Sequence, residues 1–117
     1  MPLTNAAKNL MLDELGSVAV FASLHTADPG TTGAAEVSGG SPAYARKAIT
    51  WNAAAGGNLD SSNAPVFDVP GGTTVTHFGL WSAASGGTFY SGGQLSANET
   101  FTAQGQYTLT DADVNLT

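Results

Sequence analysis

Few residues in this chain could carry a nucleophilic mechanism. It has no cysteine, and its only imidazoles are His25 and His77, so a reactive serine would need one of them as its base. The chain contains no G-x-S-x-G segment that would expose such a serine. His25 stands just before a Pro-Gly turn, where we expect it to hydrogen-bond Asp28 and brace that turn. His77 lies among apolar residues and is expected to be a core or interface group, because two separate histidines are a weak signal for a metal site.

Paired carboxylates are the second chemistry to consider. A glycosidase needs two of them flanking a cleft, but several here are scattered over loops and strand ends: Glu36, Asp60, Asp68 and Glu99. Asp111 and Asp113 could share a calcium ion, although a solvated turn is the favoured interpretation. No glycine-rich segment has the strand–G-x-G-x-x-G–helix setting of a phosphate-binding loop. The sequence therefore predicts no catalytic residue, no metal site and no cofactor.

Aromatic side chains could instead stack on sugar rings. Strand aromatics are more often core residues than platforms, so the structural interpretation is favoured for the group as a whole: Tyr44, Trp51, Trp81, Phe89 and Tyr90. Arg46 follows Tyr44 on one face of a predicted strand, where it could stack on an aromatic ring or reach Glu36 and pin the preceding loop. The candidate interaction surface combines these residues with two on the predicted helix: Leu10, Met11, Tyr44, Arg46, Trp51 and Trp81.

The charge balance narrows the classes of partner. Only 10% of residues are charged, and the cations Lys8, Arg46 and Lys47 face nine carboxylates, which gives a net charge of −6. Binding to a phosphate backbone or an anionic membrane surface is therefore disfavoured. The N-terminus lacks a basic start followed by an apolar run, and no apolar run has the length of a membrane span. We expect synthesis in the cytoplasm without a signal peptide.

One helix is predicted, over residues 4–15. Thr4 or Asn5 can cap it, Gly16 is a plausible stop, and apolar residues recur at helical spacing in a stripe that also includes Glu14: Ala7, Leu10, Met11, Glu14 and Leu15. Two interpretations of this stripe stay open. It packs against its own domain, or it docks onto a neighbouring subunit.

Period-two patterns predict strands from residue 18 onward, separated by Gly and Pro turns and by a long loop over residues 28–42. Residues 18–25 are expected to have one buried face, residues 73–82 to form a hairpin with 88–91, and residues 99–103 to pair with 106–110. The remaining predicted strands are 43–51, 64–69 and 114–116. This rhythm predicts an all-β fold, an antiparallel β-sandwich or small barrel with one short N-terminal α-helix, as a single domain over residues 1–117.

Several segments of the chain form a set with a distinctive order. The first block runs Leu24-His25-Thr26-Ala27-Asp28-Pro29-Gly30, Gly33, Glu36-Val37, Gly39-Gly40-Ser41 and Tyr44-Ala45-Arg46. Later segments are Thr74-Val75-Thr76-His77-Phe78-Gly79-Leu80-Trp81, Gly86-Gly87-Thr88-Phe89 and Gln104-Gly105-Gln106-Tyr107. Together they resemble a family of small phage virion proteins usually labelled tail fibre or minor tail proteins. The chain departs from the family where Pro42 and Ala43 stand between the glycine–serine segment and Tyr44.

The resemblance implies a structural component of a bacteriophage virion, most consistent with a tail-associated protein acting through protein–protein contacts. Its expected partners are further copies of itself, as a homo-oligomer, and other virion proteins. A capsid decoration protein and a module that binds host-surface carbohydrate are the alternatives. No active-site residue is carried over from the family, which agrees with a protein that is not an enzyme.

Overall fold

A single helix precedes the strands in the computed structural model, which describes residues 2–110 and 112–116. Helix α1 spans Asn5–Val18, and the Thr4 hydroxyl caps it by accepting a hydrogen bond from the Ala7 amide at 3.2 Å. The predicted stop at Gly16 is wrong. Gly16 packs closely against the Trp51 ring: a Cβ on Gly16 would lie 3.3 Å from Trp51 Cδ1. A glycine is therefore needed here for close packing and not to end the helix.

Eight strands follow the helix within the described residues, several of them short. Their bounds are β1 Phe21–His25, β2 Lys47–Ala48, β3 Asn58–Asp60, β4 Val66–Val69, β5 Thr73–Trp81, β6 Phe89–Phe101, β7 Gly105–Thr108 and β8 Asp113–Asn115. All pairings among them are antiparallel: a four-stranded main sheet has the order β2-β1-β5-β6, and two ribbons pair β3 with β8 and β4 with β7. The predicted all-β class with one N-terminal helix is confirmed, in an arrangement consistent with a small β-sandwich.

Several strand boundaries and pairings differ from the predictions. The predicted strand 43–51 contains only β2 and isolated bridges at Ala43 and Trp51. The predicted strands 88–91 and 99–103 merge into β6, and β7 pairs with β4 instead of with residues 99–103. Gly92 and Gly93 lie inside β6, where a Cβ on Gly93 would stand 2.6 Å from the Phe78 ring. Strand β3 was missed, since residues 52–63 consist mostly of small residues.

The pairing of β5 with β6 is interrupted by a β-bulge. The register passes from Val75↔Glu99 to His77↔Gln94, so four residues of β6 lie opposite Thr76 alone. Val75, Phe78 and Leu80 are all buried in the core.

The core lies between the main sheet and the two ribbons. Its buried members include Leu24, Phe67, Leu80 and Leu109, which come from four separate parts of the chain. Strand β1 is buried on both faces, since Ser23 and His25 are 0% exposed, as are Ala22 and Leu24. The expectation of one buried face is therefore wrong. Within the described residues no helix is long and apolar enough to cross a membrane, and the single-domain organisation stays a prediction.

Candidate functional site

The long loop between β1 and β2 is fixed by Glu36. One carboxylate oxygen, Oε2, accepts hydrogen bonds from the Tyr44 hydroxyl at 2.9 Å and from Arg46 Nε at 3.0 Å. The other, Oε1, accepts from Arg46 Nη2 at 3.0 Å. This two-pronged Arg–carboxylate geometry is the strongest that a protein ion pair offers. The predicted contact between Arg46 and Glu36, which pins the loop, is confirmed.

Arg46 also ties this loop to the turn between β5 and β6. Its Nη1 donates to the carbonyls of Ala83 at 3.0 Å and Gly86 at 2.8 Å. Its guanidinium carbon lies 3.6 Å from the centroid of the Trp81 ring, a cation–π arrangement. Both contacts considered for Arg46, stacking and reaching Glu36, occur together. The Arg46 side chain is 9% exposed, so its charge is engaged in contacts within the molecule and not with solvent.

Tyr44 connects the same carboxylate to the main sheet. Its hydroxyl accepts a hydrogen bond from the Leu24 amide at 2.9 Å while donating to Glu36. Its ring stacks on Phe67 at 6.2 Å between centroids. Burial is the main cause that raises the pKa of Tyr44 far above its usual range, so the hydroxyl remains a donor.

A second polar cluster surrounds His25. Its Nε2 lies 2.7 Å from Ser23 Oγ, and its Nδ1 lies 2.7 Å from the Ala34 carbonyl oxygen. Ser23 Oγ also accepts a hydrogen bond from Trp81 Nε1 at 2.8 Å. The predicted bond to Asp28 is wrong, since Asp28 Oδ1 accepts from the Gly30 amide instead. His25 still braces the loop, but its partner there is the Ala34 carbonyl. The sequence signal for this cluster was a serine and a histidine two residues apart on one face of a predicted strand.

A hydrogen-bonded serine–histidine pair has the composition of a nucleophile and its base. Here both residues are 0% exposed, so no substrate can reach Ser23 Oγ in this conformation. The second ring nitrogen is held by a backbone carbonyl, and the hydroxyl already accepts from an indole. The arrangement orients a loop and is not built as a reaction centre.

The remaining ionisable candidates are dispersed. His77 is half-buried, with Nδ1 2.7 Å from the hydroxyl of its neighbour Thr76. Asp60 and Asp113 face each other across β3 and β8. Asp111, the other half of the considered calcium pair, lies outside the described residues. Over residues 2–110 and 112–116 no cluster of three or more histidines and carboxylates could hold a metal ion.

The two tryptophans differ in what they offer to a ligand. Trp81 is 8% exposed, with Arg46 over its ring and the edge of Phe89 at 5.0 Å between centroids. Trp51 is half-buried, and its Nε1 donates to the Ala19 carbonyl at 2.8 Å. It lines a shallow groove of about 330 Å³ that Asp13 and Asn52 also border. Of the two rings, Trp51 is the one that borders an open groove.

Helix α1 presents apolar residues on two opposite sides. Leu12 is 1% exposed and faces the rest of the molecule, with Leu15 packed against the core. Leu10 and Met11 point outward, 74% and 44% exposed. The predicted stripe is divided between these two sides: Leu15 packs against the core, Leu10 points outward, and Met11, one turn before Leu15, lies between them and is partly exposed.

Comparisons with known proteins identify one family. No curated protein matches the chain. A family model with the description "Podophage GP4 fiber I protein gp80" matches residues 3–117. The match spans almost all of the sequence, and it confirms the resemblance to phage tail fibre proteins that the motifs indicated. The chain therefore belongs to the podophage GP4 fiber I protein gp80 family and is a tail-associated structural protein of a phage virion.

Proposed function

We propose that this protein is a fibre subunit without enzymatic activity, held in the virion by the outward side of α1, which docks onto a neighbouring fibre protein. One observation supports this most strongly. Of the six large apolar side chains exposed in the described part of the chain, four lie on α1 or beside it: Leu3, Leu10, Met11 and Val18. Singly exposed apolar residues are ordinary, but a concentration of them marks an interaction site.

The helix geometry groups these residues. Val18 lies two turns beyond Met11 and therefore on the same side of α1, with Leu10 adjacent. Leu12 stands about 200° round the helix from Leu10. Full burial of a Leu or Met side chain contributes about 1.5–3 kcal/mol, so a partner covering Leu10 and Met11 would gain appreciable binding energy.

The charge on this side of α1 bears on the identity of the partner. Glu14 lies one turn after Leu10, one turn before Val18, and is exposed. Parallel pairing of α1 with its own copies would bring these carboxylates together, which is unfavourable. A different fibre protein is therefore the favoured occupant. The predicted homo-oligomer, with copies paired antiparallel through α1, is the competing outcome.

The test compares two double variants in assembled particles. Leu10→Gln with Met11→Gln should reduce incorporation into purified virions at least tenfold, while the circular dichroism spectrum and melting temperature stay unchanged. Val66→Gln with Tyr90→Gln is the matched control, because those side chains are similarly exposed, at 43% and 40%, on other elements. Equal incorporation of both variants would remove α1 as the docking element. A dimer in light scattering that Leu10→Gln with Met11→Gln disrupts would identify a second copy as the occupant.

Carbohydrate binding is a second candidate, supported by the groove beside Trp51. Asn52 is exposed at the groove, and Asp13 keeps one carboxylate oxygen beyond the one that accepts from the Ala54 amide. A glycan array with the isolated protein tests this function. Binding that Asn52→Ala weakens without unfolding would support it, whereas an array without hits would end it. Capsid decoration has no observation of its own in its favour, and the family description points to the fibre.

A further inference from the structure

The hydrogen bonds of His25 are satisfied by one protonation state. The Ala34 carbonyl can only accept, so Nδ1 carries the ring hydrogen. In the neutral ring Nε2 is then an acceptor, and the Ser23 hydroxyl donates to it across 2.7 Å. Ser23 Oγ in turn accepts from Trp81 Nε1. Every polar atom of this cluster has a partner while the ring is neutral.

A second proton on the His25 ring would disrupt this arrangement of hydrogen bonds. It would sit on Nε2 and point at Ser23 Oγ, so the hydroxyl hydrogen would lose its acceptor. Ser23 is 0% exposed, so water cannot replace that acceptor in the closed structure. A buried hydroxyl hydrogen without an acceptor is costly, and a buried charge on the ring adds to that cost.

The charges around His25 act in opposite directions. Burial is the largest influence and lowers the pKa of His25 below its ordinary value. The Ala34 hydrogen bond and the Glu36 carboxylate, both from the loop, favour the charged ring. Arg46 from the loop and His77 from β5 oppose it. The net effect keeps the ring neutral in the closed state.

The segment that His25 holds is part of the long loop. The ring bonds Ala34, and the neighbouring backbone pairs Thr26 with Ala35 at 3.0 Å and Val37 with Leu24 at 3.0 Å. These contacts join residues 26–36 to the end of β1. If they separate, His25 meets water and regains its ordinary affinity for protons.

We propose that His25 is an acid-sensitive latch: its neutral ring closes residues 26–36 onto the main sheet, and its protonation releases them. The latch gives the loop two states whose ratio depends on pH. The open state takes up a proton around the ordinary value of 6.5. Between pH 7.5 and 5.5 the opening equilibrium constant therefore rises, by at most about tenfold.

The two tryptophans provide a probe and its control in one molecule. The Trp81 indole N–H bonds Ser23 inside the latch, and the Trp51 indole N–H bonds the Ala19 carbonyl outside it. Hydrogen exchange of both, followed by NMR on the full chain, gives a ratio from which the intrinsic pH dependence of exchange cancels. The Trp81 protection factor relative to that of Trp51 should fall from pH 7.5 to 5.5, by at most about tenfold.

Two variants assign the effect. His25→Asn removes the titrating ring, and the protection ratio should then be independent of pH. His77→Asn removes the only other histidine and should leave the fall in the ratio in place. A ratio in the wild type that is constant over this pH range would overturn the latch, even if His25→Asn fails to fold. So would a fall in the ratio that disappears in His77→Asn.

Discussion

At the scale of single residues, the loop conformation depends on positions where a side chain would not fit. Gly33 has φ +79°, in the left-handed region, and a Cβ there would overlap the Trp81 ring. Gly30 has a similar φ of +62° but open space around it. The two glycines share the backbone requirement and differ in the steric one.

This difference can be measured by chemical denaturation. Gly30→Ala should cost about 1–2 kcal/mol, the penalty of a left-handed alanine. Gly33→Ala should cost about 1–3 kcal/mol more, because Trp81 or the loop must move. Equal losses for the two variants would mean that the Trp81 ring yields without strain, and that the loop does not depend on close contact there.

The guanidinium of Arg46 is the second residue-scale determinant. Arg46→Lys keeps the positive charge but cannot contact both Glu36 oxygens and two carbonyls at once. We expect a loss of about 2–4 kcal/mol in unfolding free energy, since hydrogen bonds to charged groups contribute about 1.5–3 kcal/mol each. Lys47→Arg is the adjacent control and should change stability by less than about 0.5 kcal/mol. A lysine at 46 that is tolerated equally well would show that charge alone is sufficient.

At the scale of elements, the buried side of α1 contributes to the stability of the protein, whereas its outward side is the proposed docking surface. Leu12→Ala should destabilise the protein by about 2–5 kcal/mol, because it leaves a cavity under the helix. Leu10→Ala should change stability by less than about 0.5 kcal/mol, since that side chain is 74% exposed. Thermal unfolding followed by circular dichroism compares the two. Similar losses in both would mean that the outward side of α1 is covered within the protein itself.

At the scale of the whole molecule, the buried His25 makes global stability depend on pH. Its pKa is lowered in the folded state by burial and returns to 6.5 on unfolding. The unfolded state therefore binds more protons below pH 6.5, so stability is present above that pH and is lost as pH falls. From pH 7.5 to 5.5 the wild type should lose more stability than His25→Asn, by at most about 1.4 kcal/mol. Parallel urea titrations at the two pH values measure this, and equal losses would contradict it.

Residue types and periodicity were sufficient to predict the class of fold and one contact that braces the long loop. The helix and most strands follow from apolar spacing, and the contact between Arg46 and Glu36 was expected because their side chains are complementary and close in sequence. The sequence also indicated the fibre family, and its shared segments contain the residues that brace the loop, among them His25, Glu36 and Arg46.

Tertiary structure alone decided how these pieces meet. The register shift between β5 and β6 leaves four residues of β6 opposite Thr76. Close packing against Trp51 explains Gly16, which the preference for glycine at helix ends misassigned. The contacts of Trp81 with Ser23 and Arg46 join residues 58 and 35 positions apart. Local sequence patterns determine backbone preference and amphipathicity over a few residues, whereas burial and hydrogen-bond partners depend on distant parts of the chain meeting in one core. That is why the fold class was predictable, and the division of α1 into an inward and an outward apolar side was not.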